Sequence, residues 1–413
     1  MDGKIFGLVG RKLGHSWSVP IHTALGCSGY RLYEREPEQL ESFLHQENLG
    51  FVNVTIPYKQ TVMTFCDELD QLARTIGSVN TIVRERGKLR GFNTDAIGFC
   101  RMAHRAGIDF CGKKAVILGS GGASLTAQAM ARHLGSREVI VISRFGTNNY
   151  ENLYHHADAD IVVNATPVGM FPQVGEKAVD LSNFPLCSGV LDLIYNPRRT
   201  ALLLQAEALG IPCSDGLPML VEQAVAAEEI AFHKTFESGE NSAILEQLRC
   251  NMTNLILIGM PGCGKSTIGR LLAERTGREA IDIDAVIEAR TGKNIPEIFS
   301  TEGEEFFRSL EREETARAGA LSGKIILTGG GVVKDDRNYV SLHQNGRIVQ
   351  LVRRLEALPT TGRPLSQRKC PEQLWSEREP LYRRFRDVEI DNNGPAENTV
   401  EAIWRDFCAH SGD

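Results

Sequence analysis

The stretch IGMPGCGKST at residues 258–267 constrains this chain more than any other. Gly259 to Ser266 fill the pattern G-x-x-x-x-G-K-S between an apolar run, NLILI, and a helix-patterned run, TIGRLLAERTG. That order makes a buried strand turn tightly into a helix whose first N–H groups point at an anion. In such a loop Lys265 meets β- and γ-phosphate oxygens, and the Ser266 hydroxyl ligates Mg²⁺. Gly259, Gly262, Cys263, Gly264, Lys265, Ser266 and Thr267 are therefore the candidate ATP site. Asp282 and Asp284 follow in EAIDIDAVIEARTG, two apart on or just after a strand, so both can face one site.

A second glycine-rich turn lies well upstream. KKAVILGSGGAS sets Gly119, Gly121, Gly122 and Ala123 after an apolar strand and before the helical SLTAQAMARHLG. Glycines there let backbone approach a pyrophosphate at a helix N-terminus, although a tight turn in any doubly wound sheet reads the same way. The next strand, EVIVIS, ends at Ser143 and Arg144, and no Asp or Glu stands between Ile142 and Asn149. An NAD site usually has an acid at that point and an arginine suits a 2′-phosphate, so NADP is favoured. The bland reading of Arg144 is a solvated surface residue.

Two such loops need room. At 413 residues the chain is long enough for two or three domains. Short β-rich runs alternate with helical patterns throughout, which is the mark of parallel α/β architecture. Residues 1–98 hold KIFGLVG, GFVNVTI and a hairpin pattern turning at Arg86-Gly87-Lys88. Residues 99–215 form a βα series that reads as a Rossmann domain. A helix pattern at 216–236 leads into a polar stretch, 237–251, expected to be a linker. The last segment, 252–413, opens at Met252 like a second beginning. A net charge of −6 gives no reason to expect nucleic acid or a membrane surface as partner. The ten cysteines are scattered without CxxC pairs, which fits free thiols in a reducing cytosol. The N-terminus lacks a signal peptide's apolar core and no run is long enough to span a bilayer. The expectation is a soluble cytoplasmic protein acting on small molecules, with no obligate protein partner evident.

The N-terminal motifs GLVGRKLGHSWSVPIHT, GFVNVTIPYK, TIGSVNT and GFNTDAIG, followed in order by LGSGGAS, NATPVGM, DLIYNPRRT and GLPMLVEQA, resemble shikimate dehydrogenase over about residues 4–236. The resemblance implies an α/β substrate domain, completed by the helix around 216–236, beside the NADP domain. It makes Lys59 and Asp95 a catalytic pair, where each alone would read as a surface lysine and a helix cap. It puts Ser16 and Ser18 on the substrate carboxylate, and Thr55, Asn80, Asn93 and Gln223 on ring hydroxyls, with Tyr195 lining the site. Turn capping is the other reading of the serines. The family usually has proline directly after the second serine, whereas here Pro20 comes one place later.

The C-terminal segment adds IFSTEGEEFFRSLE, ILTGGGVV, GRPLS and REPLY to the loop and the two aspartates, and so resembles shikimate kinase over about 253–407. By that resemblance Asp282 helps hold magnesium and Asp284 acts on the substrate hydroxyl. Arg308 and Arg378 clamp the carboxylate, Gly329, Gly330 and Gly331 let backbone near the ring, and Arg363 is a lid arginine closing on the phosphates. Glu304 and Arg308 are also spaced for a surface ion pair. The segment between IVQLVRR and TGRPLS is short for the family. Together the resemblances imply a fusion that reduces 3-dehydroshikimate to shikimate with NADPH and then phosphorylates shikimate with ATP and Mg²⁺. The rivals are a non-catalytic regulator that senses pathway intermediates and a first half that prefers quinate and NAD.

Overall fold

The computed structural model describes residues 3–14, 16–358 and 370–410, whose strands assemble into three sheets. The first contains β1 (Ile5–Gly10), β2 (Tyr30–Glu34), β3 (Leu49–Val54), β4 (Glu68–Leu69), β5 (Thr81–Glu85) and β6 (Lys88–Phe92), in the order β2-β1-β3-β5-β6-β4. β1 runs parallel to β2 and β3, while β5 is antiparallel to β3 and β6. The β5–β6 reversal falls at Arg86 and Gly87, with φ of 50° and 82°. Two positive φ values give a two-residue turn the twist of its flanking strands, so the hairpin legible in the sequence is present.

The second sheet contains β7 (Lys114–Leu118), β8 (Glu138–Ile142), β9 (Ile161–Asn164), β10 (Gly189–Asp192) and β11 (Cys213–Ser214). It is parallel throughout, in the order β11-β10-β9-β7-β8. The third contains β12 (Asn254–Ile258), β13 (Ala280–Asp282), β14 (Ile325–Leu327), β15 (Gly346–Val352) and β16 (Val388–Asp391). It is also parallel, in the order β13-β14-β12-β15-β16. KAVIL in β7 and NLILI in β12 are buried at every position, as strands covered by helices on both faces must be.

The chain divides into two compact units. One takes residues up to 170 and 176–245, with the first two sheets; the other takes 171–175 and 246 onward, with the third. In the first unit, helix Thr94–Arg105 packs along helix Leu217–Phe232. Gly98 makes that approach possible, because a Cβ there would lie 2.6 Å from the Met219 carbonyl oxygen. Ala96, Phe99 and Met102 of the same helix share a core with Ala115, Ile117 and Ile161 of the second sheet.

The stretch 237–251, expected to be a linker, is helical from Ser238 onward, within helix Ser238–Met252. Leu245, Leu248 and Met252, spaced for one helix face, are all buried, and three apolar residues among many polar ones are a faint stripe. Met252 ends this helix, and the second unit already begins at Glu246. Among the described residues no helix is long and apolar enough to cross a membrane. The ten cysteines are free thiols.

Candidate active sites

In the first unit the ends of β1 and β3 meet the segment that carries Lys59. Gly10 closes β1 with a Cβ position 2.6 Å from Thr55 Cγ2, so only glycine lets Thr55 pack there. The Lys59 carbonyl accepts the Val79 N–H at 2.8 Å, which fixes the backbone beneath the lysine. Its Nζ reaches Asp95 Oδ2 at 2.6 Å, both side chains being mostly buried. Asp95 lies in the first turn of helix Thr94–Arg105, whose cap is Asn93: Asn93 Oδ1 accepts the Ala96 N–H at 3.2 Å and its Nδ2 donates to the Ser78 carbonyl at 2.8 Å. Asn80 Nδ2 donates to Thr94 Oγ1 at 3.0 Å and to Gln223 Oε1 at 3.3 Å. Lys59, Asp95, Asn80 and Gln223 are thus tied into one polar cluster through Thr94, which no motif reading singled out.

That cluster continues inward. Thr81 Oγ1 lies 3.1 Å from Thr94 Oγ1 and accepts from Asn53 Nδ2 at 3.0 Å, while Tyr30 donates to Asn53 Oδ1 at 2.7 Å. Tyr30 stacks on His22, which pairs with the buried Glu228 at 2.7 Å. These groups come from β2, β3, β5 and two helices, so no local pattern announces them. Ser18 opens helix Ser18–Ala24, and Pro20 falls in its first turn, where a missing N–H costs little. The shifted proline is thereby absorbed. Ser16 Oγ accepts the Ser18 N–H at 3.2 Å, so its own hydrogen remains to be donated. Tyr195 is half-buried, and burial pushes its hydroxyl pKa up.

At the glycine turn, Gly119 has φ +104° and its Cβ position lies 2.8 Å from the Ala165 carbonyl oxygen. Gly121 caps helix Gly122–His133, and the Cβ positions of Gly121 and Gly122 face open space. An uncovered helix N-terminus of this kind fits a pyrophosphate. Ser143 and Arg144 follow β8 directly; Arg144 is exposed beside the exposed Phe145 ring, 5.7 Å from its centroid.

In the second unit a cavity of 520 Å³ opens on the phosphate loop. Gly259, Gly262 and Gly264 have φ of +141°, +88° and +104°, conformations that side chains rarely adopt. Buried Cys263 packs beneath the loop; helix Lys265–Thr276 begins at its end, with Thr267 in the first turn. Lys265 Nζ donates to the Gly259 and Met260 carbonyls at 2.8 and 3.2 Å. Ser266 Oγ donates to Asp282 Oδ2 at 3.3 Å, and Asp282 also caps helix Ile283–Thr291. A hydroxyl beside one carboxylate fits Mg²⁺, which takes few protein ligands and completes its shell with phosphates and water.

Asp284 differs sharply from Asp282. Its Oδ1 is buried without a hydrogen-bond partner. Burial first, then the Glu311 and Asp282 carboxylates, push its pKa up to about 6. Arg308 lines the cavity while pairing with Glu311 at 2.5 Å and Glu304 at 3.3 Å, so the surface-pair spacing and the cavity position hold together. Arg378, almost fully buried, donates to the Gly330 carbonyl at 2.9 Å, and Tyr382 to the same oxygen at 2.6 Å. The glycine triplet lets backbone lie against the side chains of the site, most tightly at Gly330 beside the rigid Pro261 ring. A Cβ on Gly329 would lie 2.8 Å from Asp284 Oδ1 and Glu311 Oε1, one on Gly330 2.6 Å from Pro261, and one on Gly331 would strike the Arg308 guanidinium. Glu311 went unseen in the sequence, although its place three residues after Arg308 on one helix face was a usable signal. Arg363 lies outside the described residues.

This chain is 34% identical to the shikimate dehydrogenase (NADP(+)) of Clostridium perfringens (strain SM101 / Type A) over 268 residues, spanning 99% of that protein and 60% of this one. The chain belongs to the shikimate dehydrogenase family. A family model for the shikimate dehydrogenase substrate binding domain matches residues 8–82, and one for shikimate kinase matches residues 261–407. Among solved structures, a chorismate mutase/shikimate 5-dehydrogenase fusion protein from Clostridium acetobutylicum is 35% identical with a TM-score of 0.57, covering 60% of this chain and 97% of that one. Quinate dehydrogenase from Corynebacterium glutamicum, in complex with NAD, is 27% identical with a TM-score of 0.55, covering 59% and 98%. This shikimate dehydrogenase is thus joined to a shikimate kinase domain, which makes the chain a bifunctional shikimate-pathway enzyme.

Proposed function

We propose that the first unit reduces 3-dehydroshikimate to shikimate with NADPH, and that the second transfers the γ-phosphoryl group of ATP to shikimate to give shikimate 3-phosphate. The observation that carries this reading is the 2.6 Å contact between Lys59 and Asp95 inside a cluster of hydroxyl and amide groups. The bound nicotinamide supplies hydride. Lys59 donates a proton to the carbonyl oxygen as negative charge builds there, and Asp95 orients the lysine. Asn80, Asn93, Thr55 and Gln223 match ring hydroxyls, since each buried hydroxyl needs a partner, and Tyr195 lines the site; Ser16 and Ser18 hold the carboxylate. Gly119, Gly121, Gly122 and Ala123 form the pyrophosphate turn, and Arg144 with Ser143 reads the 2′-phosphate.

In the second unit the loop N–H groups and Lys265 hold the ATP phosphates, with Ser266 and Asp282 toward magnesium. Asp284 accepts the proton of the attacking hydroxyl. Its raised basicity suits that task, because a general base works best when its pKa lies near the working pH. Arg308 and Arg378 clamp the acceptor carboxylate, for which a planar fork is the better shape, and Arg363 closes on the phosphates.

The test is to supply purified chain with 3-dehydroshikimate, NADPH, ATP and Mg²⁺, following NADPH absorbance and the phosphorylated product by mass spectrometry. Both signals are expected. A regulator would give neither. Faster turnover of quinate with NAD than of shikimate with NADP, in the oxidative direction, would replace the first reaction by the alternative that the quinate dehydrogenase likeness raises.

A further inference from the structure

We propose that Arg353 contacts the nucleotide phosphates from the side of the cavity formed by the end of β15, an inference that rests on the reading of the second unit as ATP-binding. Arg353 lines the same cavity as the phosphate loop. The other cations that line it have partners. Lys265 donates to loop carbonyls, Arg308 pairs with Glu311 and Glu304, and Arg378 donates to the Gly330 carbonyl. The Nε atoms of Arg353 and Arg378 are both buried without a hydrogen-bond partner, but Arg378 still donates through Nη1 to Gly330, whereas among the described residues no carboxylate pairs with Arg353.

Its place in the sheet says what that partner should be. β15 lies beside β12, with Gln350 opposite Ile258, the residue before the loop. The next residue, Leu351, touches the loop itself: a Cβ on Gly259 would lie 2.5 Å from the Leu351 carbonyl oxygen. Two positions later Arg353 leaves the carboxyl edge of a parallel sheet, the edge at which ligands of open α/β folds bind. The backbone around it is pinned to the loop. Asn392 N donates to the Val352 carbonyl at 2.8 Å, Arg354 N to Asn393 Oδ1 at 2.8 Å, and Asn392 Nδ2 to the Cys263 carbonyl at 2.7 Å. The backbone that carries the Arg353 side chain is thus held beside the loop. An unpaired buried donor is costly, and an oxygen-rich anion relieves that cost with charge-assisted hydrogen bonds. The acceptor carboxylate is the weaker candidate, since Arg308 and Arg378 already stand at the glycine triplet, against Gly331 and Gly330.

The test is calorimetric titration of the full chain with a non-hydrolysable ATP analogue plus Mg²⁺, and separately with shikimate, for wild type, Arg353→Ala and Arg353→Lys. Losing a charged hydrogen-bond donor should weaken nucleotide binding by about 10- to 100-fold, with shikimate affinity unchanged. Arg353→Lys should recover part of the loss, because it keeps the charge but not the fork. Near-UV circular dichroism checks the fold, and if Arg353→Ala is misfolded the lysine variant decides by its own loss of affinity. Unchanged nucleotide binding in a folded variant, or a loss confined to shikimate, overturns the proposal while leaving ATP binding intact. A wild-type chain that binds no nucleotide removes the kinase reading and Arg353 with it.

Discussion

In the reactions proposed above Lys59 and Asp284 take corresponding parts, each moving a proton at a substrate oxygen, yet their surroundings are opposite. Lys59 has a dedicated partner of opposite charge at 2.6 Å and a backbone carbonyl fixed to Val79. Asp284 has an unpartnered buried oxygen and two further carboxylates acting on it, Glu311 and Asp282. The lysine is oriented by attraction; the aspartate is made basic by burial and repulsion. The two devices fail differently, and because both sit in one chain each unit serves as the control for the other.

The largest effect should come from removing the groups themselves. Lys59→Ala should lower dehydrogenase turnover by about 10²–10⁴-fold, the usual contribution of a general acid or base, and leave phosphorylation of shikimate unchanged. Asp284→Asn should do the reverse, to a similar extent. NADPH oxidation and ADP release, measured on each variant, give the four numbers needed. NADPH binding by the first variant and ATP binding by the second should persist. If Asp284→Asn abolishes nucleotide affinity, the division of labour between Asp282 and Asp284 is wrong.

The two sites were also legible to different depths. The phosphate loop could be read because its chemistry is local: eight consecutive residues carry the glycines, the lysine and the hydroxyl. The Lys59–Asp95 pair lies 36 positions apart in sequence, and only the ordered set of motifs around it brought the two residues into one reading. Thr94, Tyr30 and the His22–Glu228 pair were not legible, because their meeting depends on how sheet and helices pack, and a buried threonine or tyrosine looks like any other. The full length of the helix at Ser238–Met252 was hard to read for a related reason. Its composition is polar, and only the spacing of Leu245, Leu248 and Met252 speaks for burial. Arg353 gave no signal because a strand end has no periodicity to test.

A smaller effect should appear at the cofactor turn. Arg144 is exposed and among the described residues has no carboxylate partner, so its removal should cost the fold little. If it meets a 2′-phosphate, Arg144→Ala should raise the KM for NADP by about tenfold or more, the worth of one charged hydrogen bond, with the KM for NAD unchanged. Steady-state rates with both cofactors distinguish this from a general disturbance of the turn, which would raise the two KM values together.

The smallest expected effect is on stability, and it tests why Asp284 is basic. In the unfolded chain an aspartate titrates near about 3.9, whereas in the folded unit Asp284 is pushed up to about 6, by burial first. The folded form therefore holds this proton more tightly. Its contribution to stability is fully present below about pH 4 and is lost as pH rises through about 6. Above that range the ionised carboxylate is a standing cost on the order of 1–2 kcal/mol, since water in the open cavity screens part of the shift. Asp284→Asn, which cannot ionise, should thus raise the Tm of the kinase transition by a few degrees at pH 7.5, about what that free energy represents for a unit of this size. At pH 4 the gain should vanish, because wild type then carries the neutral acid. Scanning calorimetry of both proteins at the two pH values makes the comparison, with the dehydrogenase transition as the internal reference. A gain of equal size at both pH values would mean that asparagine simply packs better and that Asp284 titrates alike in the folded and unfolded chain, which would overturn its raised basicity.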